Sequence, residues 1–331
     1  MSVFLIGREE LLPFLAAVMS KRELIAPIKR GAVSSFEKIS VPADLKSLYL
    51  VGQTNYSPKR FFFEPRLLIY EYKKDSEMGN ISVPKHSTKQ RVIFGLRACD
   101  SNALLVCDDV LIRDGEDIYY KANRFRTLVI GFSCASPCKN GFCDAVGHGN
   151  FRQFDLLFSQ KGDDFVVHTG SPRGEQFIGD FKKFFISPKG GADADESKIP
   201  AKNFCCGSKS LDKVNLNRAR LKESSSKCFS CHGCSAICPT CTCFDIQDIP
   251  DHKGHGRKYR IWDSCLDPSF STISGVCFRS AREERVEHFE LHKLKFHKNR
   301  FGRHMCVGCG RCIWVCLAGI DITKNAQPDR G

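Results

Sequence analysis

Thiols dominate the chemistry available to this chain. Cys228, Cys231, Cys234 and Cys238 stand at C-x2-C-x2-C-x3-C with Pro239 behind them, and Cys306, Cys309, Cys312 and Cys316 repeat the spacing. Three thiolates two residues apart wrap three irons of one cubane, while the fourth lies past a turn and points toward a neighbouring cluster. The runs therefore read as two 4Fe-4S clusters with exchanged ligands. One takes Cys228, Cys231, Cys234 and Cys316, the other Cys306, Cys309, Cys312 and Cys238. Structural zinc usually uses two separated cysteine pairs, which the duplicated run fits poorly. Gly308, Gly310 and, in the first run, Gly233 are expected to let backbone amides approach the sulfurs and tune potential. The second run ends Cys316-Leu317, without the proline, which loses turn rigidity but no ligand.

A second constellation lies upstream. Cys99 ends a predicted strand in Gly95-Leu96-Arg97-Ala98-Cys99-Asp100, and Cys134, Cys138 and Cys143 follow the strand Leu128–Phe132. Loops after adjacent strands of an α/β sheet converge at one edge, so these four thiols are expected to meet. They suffice for a third iron–sulfur cluster or a zinc ion, and free cysteines are also good core residues. Cys241, Cys243 and Cys265 form a third, incomplete group that Cys277 or Cys205 could complete; lining a cluster pocket is the other reading. Cys205 and Cys206 are adjacent and poor partners for each other, and Cys107 reads as core. His288 and His292 stand at i, i+4, close enough to share a metal but more often solvated, and His304 could hydrogen-bond near Cys306. No Ser/His/Asp or Cys/His catalytic pattern, G-x-G-x-x-G or Walker loop is present, which gives no support to a flavin, nucleotide or catalytic site.

The elements that must position these residues give an α+β fold. An N-terminal α/β domain (1–186) is followed by a linker (187–225) and an α-helical, ferredoxin-like two-cluster domain (226–331). Residues 8–25 read as an amphipathic helix interrupted near Pro13. Strands are expected at Phe61–Phe63, Leu67–Tyr70, Val92–Leu96, Leu128–Phe132, Phe154–Phe158 and Phe165–His168. Between Arg91 and Val110 a strand turns at Cys99-Asp100 into a helix starting near Ser101, with Asp100 or Ser101 as its cap. The linker carries one short helix near Leu216–Lys222. Ala281–Arg300, charged and free of Gly and Pro, has a rough apolar face and reads as a helix. The long spacing between the runs favours a helical two-cluster layout over a compact β-containing one.

Composition bounds the partners. The 331 residues allow two domains with real cores, and 42% hydrophobic content is ordinary for a folded protein. Nineteen cysteines in a chain of this length, without a recognisable export signal, point to free thiols in a reducing compartment, hence the cytoplasm, and to an anaerobic setting. The apolar run Leu11–Val18 is too short to span a bilayer. The net charge of +13 is spread along the chain without a nucleic-acid-binding motif, so docking onto acidic partner subunits is expected rather than nucleic acid.

With these residues in view, the chain resembles the iron–sulfur subunits of soluble sulfhydrogenase (beta) and anaerobic sulfite reductase (A). The resemblance rests on Gly95–Leu104, Ser133–Asn150, Cys228–Asp245, Trp262–Phe270 and His304–Cys316. Relatives often read C-F-C where this chain has Gly141-Phe142-Cys143, so Cys138 is expected to substitute for the missing ligand. The resemblance implies an electron-transfer subunit that is not catalytic alone. It would relay electrons between a flavin subunit oxidising NAD(P)H and a catalytic subunit of hydrogenase or sulfite reductase type. The alternative is a catalytic iron–sulfur or zinc subunit acting on a sulfur substrate at the N-terminal cysteines.

Overall fold

A computed structural model describes residues 2–73, 80–188, 210–211 and 214–328. The strands include β1 (Val3–Ile6), β2 (Glu23–Arg30), β3 (Val33–Lys38), β4 (Arg66–Lys73), β5 (Asn80–Ser82), β6 (Arg91–Leu96), β7 (Thr127–Phe132), β8 (Leu156–Lys161), β9 (Asp164–Thr169), β10 (Val214–Leu216), β11 (Phe244–Pro250) and β12 (Gly256–Trp262). The main helices are α1 (Leu11–Lys21), α2 (Ala98–Asp108), α3 (Ile118–Phe125), α4 (Pro172–Asp180), α5 (Arg218–Lys227), α6 (Gly233–Ile237), α7 (Arg282–Leu291), α8 (His297–Phe301) and α9 (Arg311–Val315). The chain is α+β.

Seven strands form one sheet in the order β1-β9-β8-β7-β6-β2-β3. Its centre, β2, β6, β7 and β8, is parallel, and the flanking pairs are antiparallel. Every residue of β6 and β7 is buried, as expected for parallel strands covered on both faces. One face is filled by phenylalanines around Phe14, which packs on Phe158, Phe177, Phe181, Phe184 and Phe185. Because β6 and β7 are parallel neighbours, their C-terminal loops emerge side by side, bringing Cys99 toward Cys134.

Three local expectations are corrected. Phe61–Phe63 is not a strand: Pro58 opens a 3-10 turn, Phe62 N–H donates to Lys59 O at 3.0 Å, and Phe62 and Phe63 are both buried. Alternation along a strand would have buried only one of the two. The first helix is uninterrupted, because Pro13 sits in its first turn, where the missing N–H has no intrahelical partner; the chain is already in β2 by Glu23. Helix α2 begins at Ala98 with Arg97 as its N-cap, so neither Asp100 nor Ser101 caps it.

The greatest departure is between the two cysteine runs. There β11 and β12 form a long antiparallel hairpin, and β12 pairs in turn with β4, giving a sheet in the order β11-β12-β4-β5. Trp262, at its end, stacks on Phe63 at 6.3 Å between ring centroids. The N-terminal and C-terminal parts thus share one sheet. The expected helix does follow, as α7, a wider turn at His292–Phe296 and α8 in sequence. Helix α5 supplies the helix expected in the linker, shifted by a few residues, and packs on α7. Cys205 and Cys206 lie outside the described residues.

Candidate metal centres

The two runs fold as a structural repeat. In each, the backbone turns through positive φ at two positions: Ser230 (52°) and His232 (62°) in the first, Gly308 (64°) and Gly310 (73°) in the second. These turns aim amides at sulfur: Ser230 N–H donates to Cys228 Sγ and Gly308 N–H to Cys306 Sγ, both at 3.4 Å. Gly233 has no such role. It begins α6, as Arg311 begins α9, and Ser230 and His232 carry the positive φ instead. Helices α6 and α9 pack together, and each leads to the fourth cysteine of its run.

That packing interleaves the runs. Cys228, Cys231 and Cys234 line one cavity together with Cys316 and Cys312; Phe229, Val286, Phe289 and Leu317 complete its wall. Ile320 N–H donates to Cys316 Sγ at 3.3 Å. Burial pushes the Cys234 thiol up to about 12, reinforced by the charges of Cys228, Cys238 and Cys316. Cys306 is likewise raised to about 12 by burial, opposed by the Gly308 amide and reinforced by Cys309 and Cys238. Thiols crowded this way resist ionisation without a cation, and metal binding reverses that cost by taking the thiolate form. The donor chemistry suits iron–sulfur clusters: all-sulfur ligands, amide-to-sulfur bonds and an apolar surround.

The four N-terminal cysteines also come together. Cys99, in the first turn of α2, and Cys134, Cys138 and Cys143, in the loop after β7, line a single cavity that Cys309 joins from the second run. Arg97 fixes the loop by donating to Ser133 O at 2.6 Å, and Gln53 Nε2 donates to Cys99 Sγ at 3.6 Å. A Cβ added to Gly141 would lie 3.1 Å from Cys138 Cβ, so the Cys138 side chain occupies the neighbourhood of position 141.

This site is pressed against the second run. Phe142 N–H donates to Gly308 O at 2.7 Å, and a Cβ on Gly308 would stand 2.5 Å from Cys143 Cα. Beneath the contact Arg311 forms a bidentate pair with Asp100 at 2.6 and 2.8 Å and donates to Thr54 O at 3.0 Å, all fully buried. Asp100 follows Cys99, and Arg311 lies between Cys309 and Cys312, so the ion pair ties one cysteine set to the other. Sequence reasoning missed this clamp; the charged residues embedded within two cysteine motifs were the available signal.

It also missed two buried cations. Lys293 Nζ donates to Thr240 Oγ1 at 3.0 Å, and Lys59 Nζ donates to Cys241 O at 3.0 Å while lying 3.8 Å from the Trp262 ring centroid. Among the described residues neither has a carboxylate partner. Cys241 and Cys265 are buried beside them in the core that also packs Cys228, Cys234, Cys238, Cys306 and Cys312. Cys277 stands elsewhere, on Pro268 O at 3.4 Å. Cys107 is core, as expected, and touches Pro239 O. His288 and His292 have ring centroids 5.8 Å apart, and burial lowers His292 to about 4, favouring a neutral ring. His304 Nδ1–H donates to Leu294 O at 2.8 Å, bracing the segment before Cys306. Among the described residues, no helix is long and apolar enough to cross a membrane.

Comparison with known proteins agrees with this geometry. Residues 227–320 match the family model of a 4Fe-4S dicluster domain. The chain is 27% identical over 311 residues to sulfhydrogenase 2 subunit beta of Pyrococcus furiosus, covering 90% of this chain and 89% of that protein. No solved structure matches. Over nearly its whole length the chain is accordingly similar to a sulfhydrogenase beta subunit, and its C-terminal part matches a 4Fe-4S dicluster domain.

Proposed function

We propose that the chain is a three-centre electron relay within a cytoplasmic oxidoreductase complex, set between an NAD(P)H-linked flavin subunit and a catalytic subunit of hydrogenase or sulfite reductase type. The observation that carries the reading is the shared cavity of Cys228, Cys231, Cys234 and Cys316, which draws its cysteines from both runs. Those four would hold one 4Fe-4S cluster, and Cys306, Cys309, Cys312 and Cys238 the second. Cys99, Cys134, Cys138 and Cys143 would hold a third iron–sulfur cluster, with Cys138 replacing the ligand that relatives carry at position 141. Bound clusters supply reversible one-electron carriers.

The chain's own residues hold, orient and insulate those carriers. Ser230, Gly308 and Ile320 direct amides at ligand sulfurs, which lowers the cost of added negative charge. The Asp100–Arg311 pair and the Gly308 contact keep the N-terminal set against the second, so the order is N-terminal set, second run, first run. The first set is nearest the surface: Cys231 is exposed, with Phe229 69% and Leu317 80% exposed beside it. We assign this patch to an acidic partner subunit, in keeping with the basic chain.

Anaerobic purification of the native complex tests the reading. A flavoprotein and a nickel–iron or sirohaem subunit should co-purify, and NAD(P)H should reduce this subunit only when the flavoprotein is present. Turnover of a sulfur substrate by the isolated chain would refute it and favour the catalytic alternative.

A further inference from the structure

We propose that Lys293, acting through Thr240 on the Cys238 sulfur, raises the reduction potential of the second-run centre, the one assigned to Cys306, Cys309, Cys312 and Cys238. The proposal rests on the relay reading for the cluster and on the fold for its geometry. Lys293 Nζ donates to Thr240 Oγ1 at 3.0 Å, and Thr240 Oγ1 lies 3.3 Å from Cys238 Sγ. A hydroxyl has one hydrogen to give. The ammonium occupies an acceptor position on Oγ1, and a ligand thiolate carries no proton, so Thr240 must donate to the sulfur. The three side chains form one directed chain of hydrogen bonds from cation to ligand.

Lys293 also holds the other end of the same cysteine set. Its carbonyl accepts from Cys306 N–H at 3.0 Å. It lies in the wider turn His292–Phe296 between α7 and α8, a departure from regular helix of the kind often found at functional positions. One residue therefore reaches Cys306 through its backbone and Cys238 through its side chain.

The charge balance points the same way. Lys293 and Thr240 are both buried, and Lys59, also buried, adds a second cation at Cys241 O, just beyond Cys238. Among the described residues neither lysine has a carboxylate partner, and an isolated buried charge is costly. A cluster held by four thiolates is net anionic and becomes more so on reduction, so it supplies the counter-charge these lysines lack. A fixed cation in a low-dielectric interior favours the more negative, reduced form. The first-run cavity is lined by Glu290 and, among the described residues, by no lysine or arginine. The difference biases a relayed electron toward the second-run centre.

The test uses the full chain with its clusters, purified anaerobically, in redox titrations followed by the paramagnetic signals. Wild type is compared with Lys293→Met, which keeps an unbranched side chain without the charge, and with Thr240→Val and Thr240→Ser. Cys316→Ala identifies the first-run signal by removing it. Lys293→Met should lower the second-run potential by at least about 59 mV, the equivalent of a tenfold weaker one-electron reduction. Thr240→Val should move it in the same direction, Thr240→Ser should keep the wild-type value, and the first-run potential should move much less. An unchanged second-run potential in Lys293→Met would overturn the proposal, as would a shift confined to the signal that Cys316→Ala removes. If Lys293→Met loses its iron, an unchanged potential in Thr240→Val overturns it equally. Absence of paired-run cluster signals from wild type itself would instead count against the relay reading.

Discussion

Gly308 and Gly233 look alike in sequence, each standing beside a ligand cysteine, yet the structure assigns opposite consequences to adding one methyl group. Gly308 has φ of 64°, and its added Cβ would lie 2.5 Å from Cys143 Cα and 2.6 Å from Cys143 N. The left-handed backbone costs alanine roughly 1–2 kcal/mol. Overpacking against main-chain atoms that cannot rotate away adds about 1–3 kcal/mol. Gly308→Ala should therefore weaken the junction between the second run and the N-terminal set by about 2–5 kcal/mol. At Gly233 the nearest atoms are 3.8 Å away, ordinary contact, and the residue opens a helix. Gly233→Ala should stay within about 0.5 kcal/mol of wild type. Chelator-driven iron release from the anaerobic protein reads the difference. If release requires the junction to open, Gly308→Ala should lose iron at least about 30-fold faster, the factor equivalent to the lower bound. Gly233→Ala should release it at the wild-type rate. Equal rates for wild type and Gly308→Ala, or rapid release from Gly233→Ala, would show that the Gly308 contact does not hold the junction closed.

Other outcomes follow from the same geometry. Cys316→Ala should remove about four irons and the paramagnetic signal of the first-run set, while the set containing Cys306 survives with an altered line shape; loss of the Cys306 set instead would contradict ligand exchange. Asp100→Asn strands the Arg311 charge in the interior and should cost about 3–5 kcal/mol in an anaerobic urea titration. The Asp100→Leu, Arg311→Met double variant should recover most of that loss, and no recovery would show that the pair acts otherwise than through charge. Phe229→Glu with Leu317→Glu places carboxylates on the face assigned to an acidic partner. It should slow electron exchange with the partner subunits at least about tenfold per iron-loaded chain, and an unchanged rate would move the docking surface elsewhere.

The cysteine sets were legible because ligand spacing is a local property. The loops Cys228–Cys234 and Cys306–Cys312 determine their own geometry, and the parallel order of β6 and β7 follows from their continuous apolar character. The hairpin between the runs was not legible in the same way. Phe244–Pro250 is exposed along its whole length, so it carries no buried alternation, and only its pairing with β12, and β12 with β4, identifies it as a strand. Asp100 read as a helix cap because its true partner, Arg311, is remote in the chain. Gly233 was over-interpreted for a related reason: glycine signals permissive backbone, whereas positive φ was required at Ser230 and His232. Lys59 and Lys293 look like surface residues in sequence, and only the fold buries them.

A relay of three iron–sulfur centres built from twelve named cysteines fixes the iron and acid-labile sulfide carried per chain in the anaerobically purified protein. About twelve of each are predicted. About eight of each, with or without one zinc, would contradict the third centre, and zinc with little sulfide would contradict the relay itself.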